Sequence, residues 1–247
     1  MTSPQMNPQN KPLAIFDMDG TLVDSRRIIS LSMDAAFKAE GLPAPGYEVT
    51  RTIVGLSLEL AIDKIAPRDV GAEGVARLAQ SYKDAFIEFR KDPATQAPLY
   101  DGALELLETL KADGWEIGVA TGKSRRGLDA LIERMDLGRF FDAHYCASDG
   151  ASKPDPFMVE ANLRALSRLP HEAVMIGDTS FDIHMGQNAD VATIGVDWGF
   201  HTKAELVECG ADIVVSTMTD LEAALIRFDA QACVCLLYTS PSPRDRG

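Results

Sequence analysis

The 247-residue chain carries 24 Lys and Arg against 37 Asp and Glu, a formal net charge of −13, with 46% hydrophobic residues. This is the composition of a folded globular protein rather than a disordered one, and its acidity speaks against nucleic acid or an anionic membrane as a partner. Residues 1–12 lack the apolar run behind a basic patch that marks a secretory signal, and no stretch reaches the ~18 apolar residues of a membrane span.

Leu13 to Asp17 is an apolar run that ends abruptly in a polar turn, which predicts a buried strand. From Ser25 to about Pro93 there is no strand candidate, only helical spacing. Within it Val75, Leu78, Tyr82, Phe86 and Phe89 recur at three- and four-residue intervals and form one apolar stripe. A βα unit rarely needs so long a connection, so an all-helical insert after the first strand is expected. The segment 92–98, with Pro93 and Pro98, reads as a linker back to the sheet.

Beyond it, strands are predicted at 115–121, 173–177, 191–196 and 212–215, with a short apolar run around Tyr145. Helices are predicted between them at 103–112, 125–135, 156–167 and 181–189. Such alternation predicts an α/β fold, a Rossmann-like parallel sheet with helices on both faces. A last helix, with Leu221, Ala224, Leu225 and Phe228 as its buried stripe, is expected to end near Phe228. The expected division is an α/β core of residues 11–24 and 94–229, a helical domain of 25–93 and a flexible 1–10. Residues 230–247 read as a non-native or disordered tail, resembling the translated end of a transposase-type sequencing adapter. Cys146, Cys209, Cys233 and Cys235 show no disulfide or zinc spacing, so free thiols in a reducing cytoplasm are expected.

In an open parallel sheet, ligands bind outside the carboxyl ends of the strands. Asp17 and Asp19 stand there in Asp17-Met-Asp-Gly-Thr21. Thr121 and Gly122 close the next core strand, Lys153 lies in Ser152-Lys-Pro, and Asp178 follows the strand 173–177 with Asp182 four residues on. Each piece alone has an ordinary explanation: a turn for Asp17 to Thr21, a helix cap for Thr121, surface charge for Lys153, and a helix-dipole partner for Asp182. The four fixed residues of Asp-x-Asp-Gly-Thr recur by chance at roughly one in 10⁵ positions, and the four loops in this order weigh together.

These segments resemble the four motifs of the haloacid dehalogenase superfamily, and the helical insert is similar to the cap of its phosphoglycolate phosphatase-like members. The resemblance spans approximately Pro12 to Phe228. It implies a Mg²⁺-dependent phosphatase acting on a small-molecule phosphate ester. Asp17 would be the nucleophile, Asp19 the general acid and base, and Thr121, Gly122 and Lys153 the phosphate-binding groups. The metal would be held by Asp17, the backbone carbonyl of Asp19 and Asp178, with Asp182 holding a metal-bound water or orienting Lys153. A carboxylate nucleophile needs such charge neutralisation, and hard oxygen ligands suit Mg²⁺.

Two other readings are weaker. Sugar-phosphate mutase relatives usually read Asp-Gly-Val and carry a basic residue after the cap's Gly-x-Ser, where this chain has Thr21 and Leu58. Signalling receiver domains put an acidic pair after the first strand and the phosphorylated Asp after the third, in a shorter chain. His144, His171, His184 and His201 read as structural or surface residues, and Trp198 and Phe200 as cover for the core edge. Arg51, Ser57 and Glu59 flank a Val54-Gly-Leu-Ser57 loop able to close over the site. Phosphoglycolate is one substrate candidate, with sugar phosphates, nucleoside monophosphates and pyrophosphate behind it.

Overall fold

The structure, a computed structural model, describes residues 11–239, with side chains to residue 230. The chain opens with strand β1 (Leu13–Phe16), every residue of which is buried. Side chains alternate across a strand, and here each face meets its own core. Ala14 and Phe16 join the cluster that holds Leu107, Ile117 and Ile176. Leu13 and Ile15 join the one that holds Met158, Val159 and Met175. An unbroken apolar run is what a strand covered on both faces requires.

Strands β2 (Glu116–Thr121), β3 (Ala143–Cys146), β4 (Ala173–Gly177), β5 (Ala192–Val196) and β6 (Ile213–Val215) complete a sheet ordered β3-β2-β1-β4-β5-β6. All five pairings are parallel. The strand order turns back at the β1–β4 pair, the crevice where such sheets bind ligands. Helices α5 (Ala103–Ala112), α6 (Arg125–Arg134), α7 (Phe157–Ala165), α8 (Ser180–Asn188) and α9 (Lys203–Glu208) make the crossovers that parallel pairing needs.

Between β1 and α5 the described structure has only helices and short turns. Helices α1 (Arg26–Ala39), α2 (Gly46–Thr50), α3 (Leu58–Ile65) and α4 (Gly71–Phe89) gather Met33, Phe37, Ile62, Val75 and Leu78 into a third cluster of their own. The predicted stripe on α4 divides its work. Val75, Leu78 and Tyr82 serve the helical cluster, while Phe86 and Phe89 pack on the main core. The chain leaves and re-enters the sheet side by side: Val23 bridges Leu99 in antiparallel sense, and Asp24 N–H donates to the Pro98 carbonyl at 2.8 Å.

One expectation is corrected. The last helix, α10 (Met218–Thr239), does not stop near Phe228 but runs through residues 230–239. Nothing after Phe228 forbids helix until Pro241, whose ring disfavours helical backbone in the residue before it. The expected stripe is present where side chains are described, with Leu221, Ala224 and Leu225 fully buried. The expectations for residues 1–10 and 240–247 lie outside the described residues. Cys146 and Cys209 are unpaired, and among the described residues no helix is long and apolar enough to cross a membrane.

Candidate active site

The residues that follow β1 and β4 meet at the reversal of strand order. Asp17 N–H donates to the Ile176 carbonyl at 2.9 Å, so the β1–β4 pairing itself sets the height of the first carboxylate. Lys153, brought in by the loop after β3, is 1% exposed. Its Nζ donates to Asp17 Oδ1 at 2.7 Å and to Asp182 Oδ1 at 2.6 Å. Asp182 is held in turn by the α8 N-terminus, where its Oδ2 accepts from the Thr179 N–H at 3.0 Å and hydroxyl at 2.7 Å. Asp182 thus joins the α8 N-terminus to the Lys153 ammonium.

Asp178, fully buried, accepts from the Thr21 hydroxyl at 3.0 Å and from the Phe200 N–H at 2.8 Å. The approach is so close that only glycine fits at two neighbouring places. A Cβ on Gly20, whose φ is +88°, would stand 2.1 Å from Asp178 Oδ2, and one on Gly199 would stand 2.2 Å from it.

These groups strain against one another electrostatically. Burial pushes the Asp17 carboxyl up to about 6; Lys153 pulls it down, while Asp182 and Asp19 add to the rise. Burial, with the charges of Asp182 and Asp17, also holds Asp178 well above the ordinary carboxylate value. Burial alone would lower the Lys153 ammonium, but Asp17 and Asp182 outweigh it and raise it. Three carboxylates confronting one ammonium leave a site that favours a further cation. Asp17, Asp178 and Asp182 each offer an oxygen within 4.8 Å of the others. Asp182 has both oxygens engaged, whereas Asp17 Oδ2 has no protein donor among the described residues. An all-oxygen set with a free carboxylate oxygen fits a hard divalent cation.

Asp17, Asp19, Thr121 and Gly122 line one cavity of about 530 Å³ between the sheet edge and the helical cluster. Asp19 Oδ2 pairs with Lys123 Nζ at 2.7 Å, and its Oδ1 is buried without a partner among the described residues. The Val54–Ser57 loop sits hard on Gly122. A Cβ there would lie 2.5 Å from the Gly55 carbonyl oxygen, and Ser57 N–H donates to Ser152 Oγ at 2.9 Å. Glu59 lines the same cavity. Arg51 points elsewhere, bridging Glu205 at 3.0 Å and the Phe200 carbonyl at 3.2 Å. Its hydrogen bonds hold the Glu205 carboxyl down at about 2.

Lys123, Gly199 and the Phe200 backbone did not emerge from the sequence as site residues, and Thr21 stood there only as a fixed residue of the first motif. Lys123 had a readable signal, a cation two residues beyond the strand-ending Thr121. A backbone N–H and a glycine chosen for close approach leave none.

With this geometry in view, comparison with known proteins decides the family. Residues 14–196 match the haloacid dehalogenase-like hydrolases. The chain belongs to that family. It is 35% identical over 219 residues to the probable phosphatase IndB of Dickeya dadantii, covering 87% of this chain and 93% of that one. It is 29% identical to a phosphoglycolate phosphatase of Agrobacterium fabrum, over 87% and 92% of the two chains. Among solved structures, a predicted phosphatase from Clostridium acetobutylicum superposes with a TM-score of 0.78 at 25% identity, covering 88% and 99%. The wider family fold therefore extends over nearly all of this hydrolase's described core and helices.

His201 carries a pH dependence beside the site. Its Nδ1 accepts from the Ser180 N–H at 3.1 Å, and burial lowers its pKa below the usual 6.5. The unfolded chain therefore takes the proton first. The stability that His201 contributes is complete above pH 6.5 and is lost as pH falls through its lower folded value. His201→Gln is expected to flatten the fall in melting temperature between about pH 7 and 5. Parallel curves for parent and variant would refute this role.

Proposed function

We propose that this hydrolase is a cytoplasmic, Mg²⁺-dependent phosphatase that cleaves a small phosphomonoester, phosphoglycolate-like or a sugar phosphate, through an aspartyl-phosphate on Asp17. The observation that carries the reading is Asp17 itself, which lines the cavity while Lys153 holds one of its oxygens at 2.7 Å and leaves the other unpartnered. The phosphatase names of the relatives at 35% and 29% identity support the same chemistry.

Asp17 attacks phosphorus in line, forming the acyl-phosphate bond as the bond to the ester oxygen breaks. Asp19 donates a proton to the departing alkoxide. It then takes a proton from water as that water attacks phosphorus, releasing inorganic phosphate and restoring Asp17. The Thr121 hydroxyl, Gly122 and the Lys153 ammonium stabilise the transferred oxygens. Asp17, Asp178 and the Asp19 carbonyl would hold Mg²⁺, which supplies charge neutralisation to the phosphoryl oxygens. Asp182 keeps Lys153 in place, and residues 25–93 act as a cap that excludes bulk water.

The test is phosphate release across a panel of metabolite esters. Activity is expected with Mg²⁺, to vanish in excess chelator and to return when Mg²⁺ is restored. Full turnover in chelator would remove the metal from the reading, and no phosphate release from any ester would remove the phosphatase.

A further inference from the structure

The cavity beyond the reacting groups is walled by the helical cluster, and that wall carries an apolar patch inside a polar and charged rim. Ile29, Met33, Ile53, Leu56, Tyr82 and Phe86 all face the cavity. Phe86 lies on the Asp19 side of this patch. Lys123 Nζ stands 2.7 Å from Asp19 Oδ2 and 5.7 Å from the centre of the Phe86 ring. An alcohol protonated by Asp19 therefore has the Phe86 ring within reach. The Tyr82 ring lies 6.0 Å from it, tilted by 32°, so the two rings form a ledge. The Tyr82 hydroxyl has no protein partner among the described residues.

Besides Asp17, Asp19 and Lys123, the charged residues that line the cavity are Glu59, Lys83, Asp84, Arg90 and Arg126. All five are exposed, and Lys83 pairs with Glu59 at 3.0 Å. A volume of about 530 Å³ lies in the range of pockets that enclose drug-sized ligands, about 300–1,000 Å³. A two-carbon hydroxy acid would leave most of it to water against hydrocarbon, an arrangement the hydrophobic effect opposes.

We propose that the site takes a phosphate monoester whose alcohol carries a ring-sized, largely apolar body, and that Phe86 with Tyr82 determines this specificity. The proposal rests on the phosphatase reading but replaces its phosphoglycolate-like or sugar-phosphate substrate with a more apolar ester. An edge or face of the ring lies on the aromatic ledge, and a polar substituent meets the Tyr82 hydroxyl.

The test compares 2-phenylethyl phosphate with ethyl phosphate, whose leaving alkoxides are similar in basicity, and adds phosphoglycolate. With Mg²⁺, kcat/KM for the phenylethyl ester is expected to exceed that for each of the others by at least about tenfold. Phe86→Ala, and the gentler Phe86→Leu, should shrink that ratio. Equal or better hydrolysis of ethyl phosphate or phosphoglycolate by the parent overturns the specificity while leaving the phosphatase intact. A parent ratio that both Phe86 variants preserve overturns the role of the ledge. Hydrolysis of none of the three, with other esters cleaved, overturns the substrate class alone; silence toward every ester overturns both readings.

Discussion

Asp17→Asn is expected to release phosphate at background, at least ~10³-fold below the parent, while remaining folded. Asparagine keeps the size of the side chain and an acceptor for Lys153, but it has no charge with which to attack phosphorus. Its effect on stability should run the other way. Asp17 is one of three buried carboxylates around a single ammonium, and burial already drives its carboxyl up to about 6. Removing that charge relieves repulsion on Asp178. In chelator the variant should melt at or above the parent's temperature, and the rise on adding Mg²⁺ should be smaller than the parent's. Substantial turnover by a folded Asp17→Asn protein would end the covalent reading, and a deep loss of stability in chelator would end the electrostatic one.

Lys153→Met should lose both turnover and stability. The lysine is 1% exposed and bonds two carboxylates that are themselves buried. Methionine fills a similar volume but abandons both charges in the interior. Breaking such a buried pair typically costs about 3–5 kcal/mol, which in a chain of this size lowers the melting temperature by roughly 6–20 °C. Adding Asp182→Asn should recover part of that loss, since one of the stranded charges is then gone. A Lys153→Met melting temperature within a degree or two of the parent's would show that the lysine does not balance these acids.

Much of the fold was legible because its signals are local. Leu13 to Phe16 and Ala173 to Gly177 are short apolar runs that stop at an aspartate, and a strand covered on both faces has to read that way. The α4 stripe showed its helix through spacing alone, but not that Phe86 would leave the helical cluster for the cavity and the main core. The C-terminal helix outruns the end its apolar stripe predicts, because loss of a periodic apolar face is not loss of helix. Once nucleated, a helix gains one hydrogen bond for each further residue fixed, so it can run on past its packed face. At the candidate site, residues that supply their own chemical group stood out in sequence. The Phe200 N–H and the space left by Gly199 belong to no residue type, so only the folded chain places them against Asp178.

The adjacent crossing of Val23 and Leu99 has a consequence for how such a protein can change. To the sheet, the whole helical excursion between them is equivalent to a tight hairpin, since its two ends are already a strand-spacing apart. Closing a longer or shorter loop across the same ends alters its entropy only slowly with length. The helices can therefore be redrawn, enlarged or exchanged as a cassette without asking β1, β2 or β4 to move. On the proposed function, selection can rework the wall that would choose the alcohol while the aspartates and lysine that would handle phosphorus stay where they are.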